Sequence, residues 1–244
     1  MDGLDLAQGM EFDAATDSVD AVVASLRSHG VAKVAHVYEP ALVDAIAAAA
    51  KKIYRDRDFA AAMGTLPEGL QDLHGNLRSI DIVDLAASWG SARELLVTPF
   101  ARAVAERFMA KAVEVHQWSY ARCARANHNV LQLPFHQDMR LLGVPLVNVW
   151  IPLSACGVEI PGLEVVAQPL PDLLDTINEG ENFYAGLGVE IAADTVLAKF
   201  GAQRLYHPAF APGDALFFQG TTIHRTHVTP AMRRERISID MRLV

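Results

Sequence analysis

The spacing of hydrophobic positions changes about halfway along the chain. In the first hundred or so residues it is helical. Ser18-Val19-Asp20 opens an amphipathic run through Val22, Val23 and Leu26, and His29-Gly30 closes it as a C-terminal glycine does. A short β-like stretch follows at Val31–Val37. Glu39-Pro40 then starts an alanine-rich helix to about Arg57, and helical patterns also cover Ser79–Trp89, Ala92–Leu96 and Pro99–Met109. Gly64–Arg78, with Pro67, Gly69, Gly75 and Asn76, reads as a loop.

After Lys111 the period shortens towards two. Alternating or β-rich runs appear at Val113–Cys123, Val130–Phe135, Leu146–Leu153, Gly162–Val166, Ala215–Phe218, Thr221–Val228 and Arg236–Leu243. Turn signals such as Ile160-Pro161-Gly162 and Ala211-Pro212-Gly213-Asp214 separate them, and the stretch Leu170–Phe200 reads as a partly helical insertion. Many short strands at this rhythm predict a sandwich or barrel. The expected architecture is mainly β with helices, one domain over residues 1–244. Its helical part covers about 1–110 and its barrel about 111–244, with the helices as a cover for the strands.

Composition narrows the partners. The chain is 51% hydrophobic and 20% charged, an ordinary globular balance. Its net charge of −8 disfavours nucleic acid and anionic membrane surfaces. The acidic N-terminus lacks the apolar run of a signal peptide, and no stretch approaches the ~18–20 apolar residues of a membrane span. Cys123 and Cys156 are expected to be reduced thiols in a cytoplasmic protein. The oligomeric state is not legible.

The candidate chemistry lies in three segments of the second half. Phe135-His136-Gln137-Asp138 follows an apolar run and reads as a strand end, where His136 and Asp138 share a face and Gln137 takes the other. An imidazole and a carboxylate on one face are two-thirds of a facial metal triad. Next, the lead-in Gly213–Phe218 precedes a strand carrying His224, whose face is shared by Thr226 while Arg225 and His227 take the opposite one. His224 and His227 cannot both point inward on a regular strand, so one is a candidate ligand and the other is not. Last, the final strand is split by face. Arg236, Ser238, Asp240 and Arg242 lie on one side, and Ile237, Ile239, Met241 and Leu243 on the other. In a simple sandwich the arginines would be solvated. In a helix-covered barrel they would line a cavity, where each must find an anion.

His-x-Asp, a distant His and then an Arg, at spacings of two, 86 and twelve residues, resembles the iron(II)/2-oxoglutarate oxygenases. More narrowly, the chain resembles the phytanoyl-CoA dioxygenase family. The resembling residues are Phe135–Asp138, Val147–Leu153, Gly213–Phe218, His224 six residues after Phe218, and Arg236-Ile237-Ser238. The family's serine and histidine after its Ile-Pro-Gly segment are replaced here by Ala167-Gln168-Pro169. The resemblance implies a double-stranded β-helix, the jelly-roll or cupin-like barrel. It also implies Fe(II) on His136, Asp138 and His224, with 2-oxoglutarate and O2 as cosubstrates. Arg236 looks like the clamp for the distal carboxylate of 2-oxoglutarate, with Thr226, Trp150 and Ser238 beside it. Arg78, Arg122, Gln132 and Asn148 resemble substrate-side residues, and Arg140 is a further basic candidate.

The implied activity is hydroxylation of an aliphatic carbon of a small molecule, with release of succinate and CO2. A carboxylate at Asp138 leaves no room for the chloride of related halogenases. Desaturation, epoxidation or rearrangement at the same centre remain open. So do a non-catalytic cupin-like binding protein and a metal-dependent isomerase or hydrolase.

Overall fold

The computed structural model describes residues 7–62, 79–81, 96–125, 132–177 and 187–244. Among the described residues three helices precede or flank the strands: α1 (Val19–His29), α2 (Pro40–Ala62) and α3 (Pro99–Met109). Ser18 caps α1, accepting the N–H of Ala21, and Gly30 ends it in the left-handed conformation (φ 77°). Thr98 caps α3, with Pro99 in its first turn. A shorter helix α4 (Asp138–Leu142) and a later one, α5 (Ala193–Phe200), sit among the strands.

Among the described residues, ten strands form two sheets. They are β1 (Glu11–Asp13), β2 (Val31–Ala35), β3 (Ser79–Asp81), β4 (Tyr120–Arg125), β5 (Val147–Pro152), β6 (Gly162–Val166), β7 (Leu205–Tyr206), β8 (Ala215–Gln219), β9 (His224–His227) and β10 (Glu235–Leu243). The major sheet runs β1-β2-β8-β5-β10-β4-β3 and the minor sheet β7-β6-β9. Only β1 and β2 pair in parallel; the other pairs are antiparallel. This is the mainly β fold expected from the rhythm of the second half, in the jelly-roll-like form that the family resemblance implies.

The face of the major sheet that meets the helices is apolar. Val147, Val149 and Ile151 of β5, Ala215 and Phe217 of β8, and Ile237, Ile239, Met241 and Leu243 of β10 share one buried cluster. Val22, Val23 and Leu26 of α1, Val43, Ile46, Ala47 and Ala50 of α2, and Val104 and Ala105 of α3 complete it. Burying both faces of the sheet lets the opposite face carry polar side chains inside the molecule. No described helix is long and apolar enough to cross a membrane.

Four local readings of the sequence are corrected. Ser79–Asp81, expected to start a helix, is an edge strand paired with β4 (Ser79 opposite Arg122). The strand expected over Val113–Cys123 begins only at Tyr120, with Val115 making a single bridge to Leu243. The part of Val130–Phe135 that is described forms no strand. The strand expected from Thr221 starts at His224. The loop Gly64–Arg78 lies outside the described residues.

Candidate metal centre

His136, Asp138 and His224 converge between the two sheets. His136 forms an isolated antiparallel bridge with His224, each donating its N–H to the other's carbonyl at 3.0 Å. The bridge places the two imidazoles side by side, with ring centroids 4.1 Å apart. Asp138 reaches them differently from the strand-face expectation, because it is the first residue of α4 and Gln137 is its N-cap. Gln137 does point away, as expected. Its amide donates to the carbonyls of Thr221 (2.6 Å) and Asp172 (3.2 Å) and accepts from Leu174 N–H (2.8 Å).

Both imidazoles present Nε2 to one oxygen of Asp138. His136 Nε2 lies 3.5 Å and His224 Nε2 4.0 Å from Asp138 Oδ1. The opposite nitrogens face carbonyls, His136 Nδ1 at 2.8 Å from Pro134 O and His224 Nδ1 at 3.0 Å from Thr222 O. A carbonyl only accepts, so Nδ1 carries the proton and the Nε2 lone pairs face the carboxylate. Burial, reinforced by the neighbouring His136, lowers the His224 pKa to about 3, so its ring is neutral at physiological pH. Burial opposes ionisation of Asp138, but the Arg242 guanidinium outweighs it and holds the carboxyl well below its ordinary range. One anionic oxygen and two imidazole Nε2 atoms form a set suited to a divalent transition metal.

Arg242 is the feature the sequence reading did not single out. Its Nε donates to Asp138 Oδ2 at 3.1 Å, another of its nitrogens donates to the Trp118 carbonyl, and its guanidinium lies over the Tyr120 ring. It thereby occupies the outer oxygen of the carboxylate and leaves Oδ1 to the histidines. The face shared by Arg236 and Arg242 on the last strand was the signal that could have found it.

The inward face of the major sheet meets this centre in a narrow cavity. It is lined by Asn148, Trp150, Phe218, Arg236, Asp240 and Arg242 from that sheet and Leu163, Thr226 and His224 from the minor one. The polar face of β10 is therefore the cavity wall, and the solvated alternative does not hold. Arg236 is 1% exposed and stacks 4.9 Å from the centroid of Trp150. Trp150 meets Phe210 edge-on with its ring 5.0 Å away, so it is both core and cavity wall.

The inward arginines differ in their partners. Arg242 has Asp138, and Arg122 has Asp240 at 3.1 Å. Arg236 has no carboxylate partner among the described residues. One terminal nitrogen donates to the carbonyls of Gly162 and Pro161, while its Nε finds no acceptor. Burial pulls its pKa below the ordinary value, whereas Asp138, Tyr120 and Asp240 hold that of Arg242 above it against the same burial. Two further buried polar atoms, Asn148 Nδ2 and Ser238 Oγ, make no hydrogen bond to described residues. The Thr226 hydroxyl accepts from Leu133 N–H at 3.2 Å and keeps its own proton to donate. These are the contacts a small dianion needs, so the residues present fit 2-oxoglutarate as they fit iron.

Of the other candidates, Arg122 lines the cavity, but Gln132 does not, although its neighbour Leu133 does. Arg140 is exposed on α4 and donates to the Leu174 carbonyl, outside the cavity. Arg78 lies outside the described residues. No disulfide joins Cys123 and Cys156.

Solved structures with the same architecture include EvdO2 from Micromonospora carbonacea var. aurantiaca, with a TM-score of 0.67 at 18% identity over 91% of this chain and 88% of that one. EvdO2 has also been determined with 2-oxoglutarate. The epimerase SnoN, determined with Fe3+, alpha ketoglutarate and nogalamycin RO, gives 0.63 at 16% identity over 93% and 83% of the two chains. The carbocyclase SnoK from nogalamycin biosynthesis gives 0.64 at 18% over 94% and 85%. No protein-family model and no curated protein matches the sequence.

Proposed function

We propose that the chain is an Fe(II)/2-oxoglutarate-dependent oxygenase of the phytanoyl-CoA dioxygenase type that hydroxylates an aliphatic carbon of a small molecule. The observation that carries this reading is Arg236. It is a buried guanidinium without a carboxylate partner among the described residues, in the same cavity as a His-Asp-His triad whose protonation states suit a metal.

In this reading His136 Nε2, His224 Nε2 and Asp138 Oδ1 hold the iron. Arg236 holds the distal carboxylate of 2-oxoglutarate, Ser238, Thr226 and Asn148 donate to the cosubstrate, and Trp150 fixes the guanidinium plane. When bound, iron and 2-oxoglutarate supply the oxidation: O2 delivers one atom to the substrate and one to succinate, with loss of CO2. The protein orients the cosubstrate, keeps Asp138 anionic through Arg242, and excludes water with the apolar walls Leu163 and Phe218. Arg122, neutralised by Asp240, faces the substrate side. The same reading treats residues 1–244 as one catalytic domain acting in the cytoplasm on a natural-product intermediate.

A second outcome of the same centre, rearrangement without oxygen transfer, has a specific basis: two structures of this fold are named an epimerase and a carbocyclase. Formation of succinate from 2-oxoglutarate with Fe(II) and O2 tests the class. Wild-type protein is expected to form it and Asp138→Ala is not; equal rates in both would refute the assignment. With 18O2, a labelled product marks hydroxylation and an unlabelled one marks rearrangement.

A further inference from the structure

A second group of ligating side chains lies on the other face of the minor sheet. Glu164 is the middle residue of the central strand β6 and pairs in register with Arg225 of β9. Its carboxylate is 5% exposed, although it points away from the catalytic cavity. Arg225 Nε donates to Oε2, and the guanidinium is fixed over the Phe135 ring at 4.2 Å. The other oxygen, Oε1, faces two imidazoles, with His227 Nδ1 at 3.5 Å and His207 Nδ1 at 3.7 Å. The two rings stack with centroids 4.4 Å apart and planes 17° from parallel, and because a ligating nitrogen's lone pair lies in its ring plane, the half-exposed His207 must turn out of the stack to share an ion with His227.

This repeats the composition of the inner centre. There, Arg242 takes one oxygen of Asp138 and two histidines face the other. The separations point the same way. Both are longer than the ~2.7–3.2 Å of an ordinary hydrogen bond. They lie within a few tenths of an ångström of the ~3.3 Å edge of a tetrahedron with metal–ligand bonds of about 2.0–2.1 Å. Access comes from one side only. The His207 side chain is 51% exposed and that of His227 14%.

We propose that Glu164, His207 and His227 form a second divalent-metal site, separate from the catalytic one, that takes a borderline cation such as Zn2+ with solvent as the remaining ligand. Its place in the fold gives it a role. Glu164 is on β6, His207 follows β7, and His227 ends β9, so one ion ties the central strand of the minor sheet to both neighbours. β9 also carries His224 and Thr226. An ion here braces the strand that supplies a ligand to the inner centre, without entering the cavity.

The test is Zn2+ uptake by the full chain after chelator treatment, measured by dialysis and metal analysis of wild type, His207→Ala, His224→Ala and the double variant. His207 is half-exposed, so its removal leaves the core intact. The expected result is one ion fewer in His207→Ala than in wild type, and one fewer in the double variant than in His224→Ala. In the His224→Ala background, Zn2+ at about a hundredfold excess over its dissociation constant should raise Tm by roughly 5–10 °C, and His207→Ala should abolish the rise. Equal uptake with and without His207, or no shift in His224→Ala, overturns the proposal. Loss of the inner site alone would change the comparison with His224→Ala but not the step caused by His207.

Discussion

Three arginines share the interior of this protein, and their different partners make opposite predictions. Arg242 is paired with Asp138 at 3.1 Å. Replacing it with Met leaves a buried carboxylate uncompensated, and the expected cost is about 3–5 kcal/mol in urea unfolding. A change under 1 kcal/mol would mean the pair is solvated. Arg236 lacks a carboxylate partner among the described residues, so Arg236→Met should leave stability unchanged or raise it by about 1 kcal/mol, while weakening 2-oxoglutarate binding at least tenfold and Fe(II) binding less than twofold. Equal loss of both ligands in calorimetric titration would make Arg236 a structural residue. His224 gives a pH prediction for metal-free protein. Its folded pKa of about 3 lies below the ordinary 6.5, so the unfolded chain takes up a proton that the folded one refuses. Its contribution is complete above pH 6.5 and is lost as pH falls towards 3, at up to about 1.4 kcal/mol per pH unit. His224→Gln should flatten the slope in that window; an unchanged slope would contradict the assigned burial. At this scale the sequence showed the residue types and their order. It did not show that Asp138 and Arg242, 104 residues apart, meet, because only the tertiary fold brings the start of α4 to the inward face of β10.

The strand β10 shows what an element can and cannot declare. Its alternation was legible, and both faces were assigned correctly from parity. Which face was inside was not, because the answer depends on α1, α2 and α3 covering the other side. The structure makes the strand testable by alternate substitution. Ile239→Ala, in the helix-facing core, should cost about 2–5 kcal/mol in stability with ligand affinity kept. Ser238→Ala, on the cavity face, should spare stability and weaken 2-oxoglutarate. A reversal of the two effects would invert the assigned faces. Short elements were the least legible. A five-residue helix such as α4 is too short to display a period, and Ser79–Asp81 is a strand only because β4 lies beside it. Tertiary pairing decides such segments, not local propensity.

The whole molecule divides the work between its sheets. The minor sheet and the segment bridged to it present His136 and His224, and the major sheet presents the arginines, Asn148 and Trp150. A chain of net charge −8 thus encloses a cavity that, among the described residues, holds three guanidinium groups, two of them matched by Asp138 and Asp240. The unmatched charge is the central claim, since it requires a ligand that brings its own carboxylate. Anaerobic addition of 2-oxoglutarate to Fe(II)-loaded protein measures it most directly. The account predicts a weak visible charge-transfer band in wild type, none in His224→Ala, and in Arg236→Ala a band that saturates only at a 2-oxoglutarate concentration at least tenfold higher. No band in wild type, or one that neither substitution alters, would contradict the account.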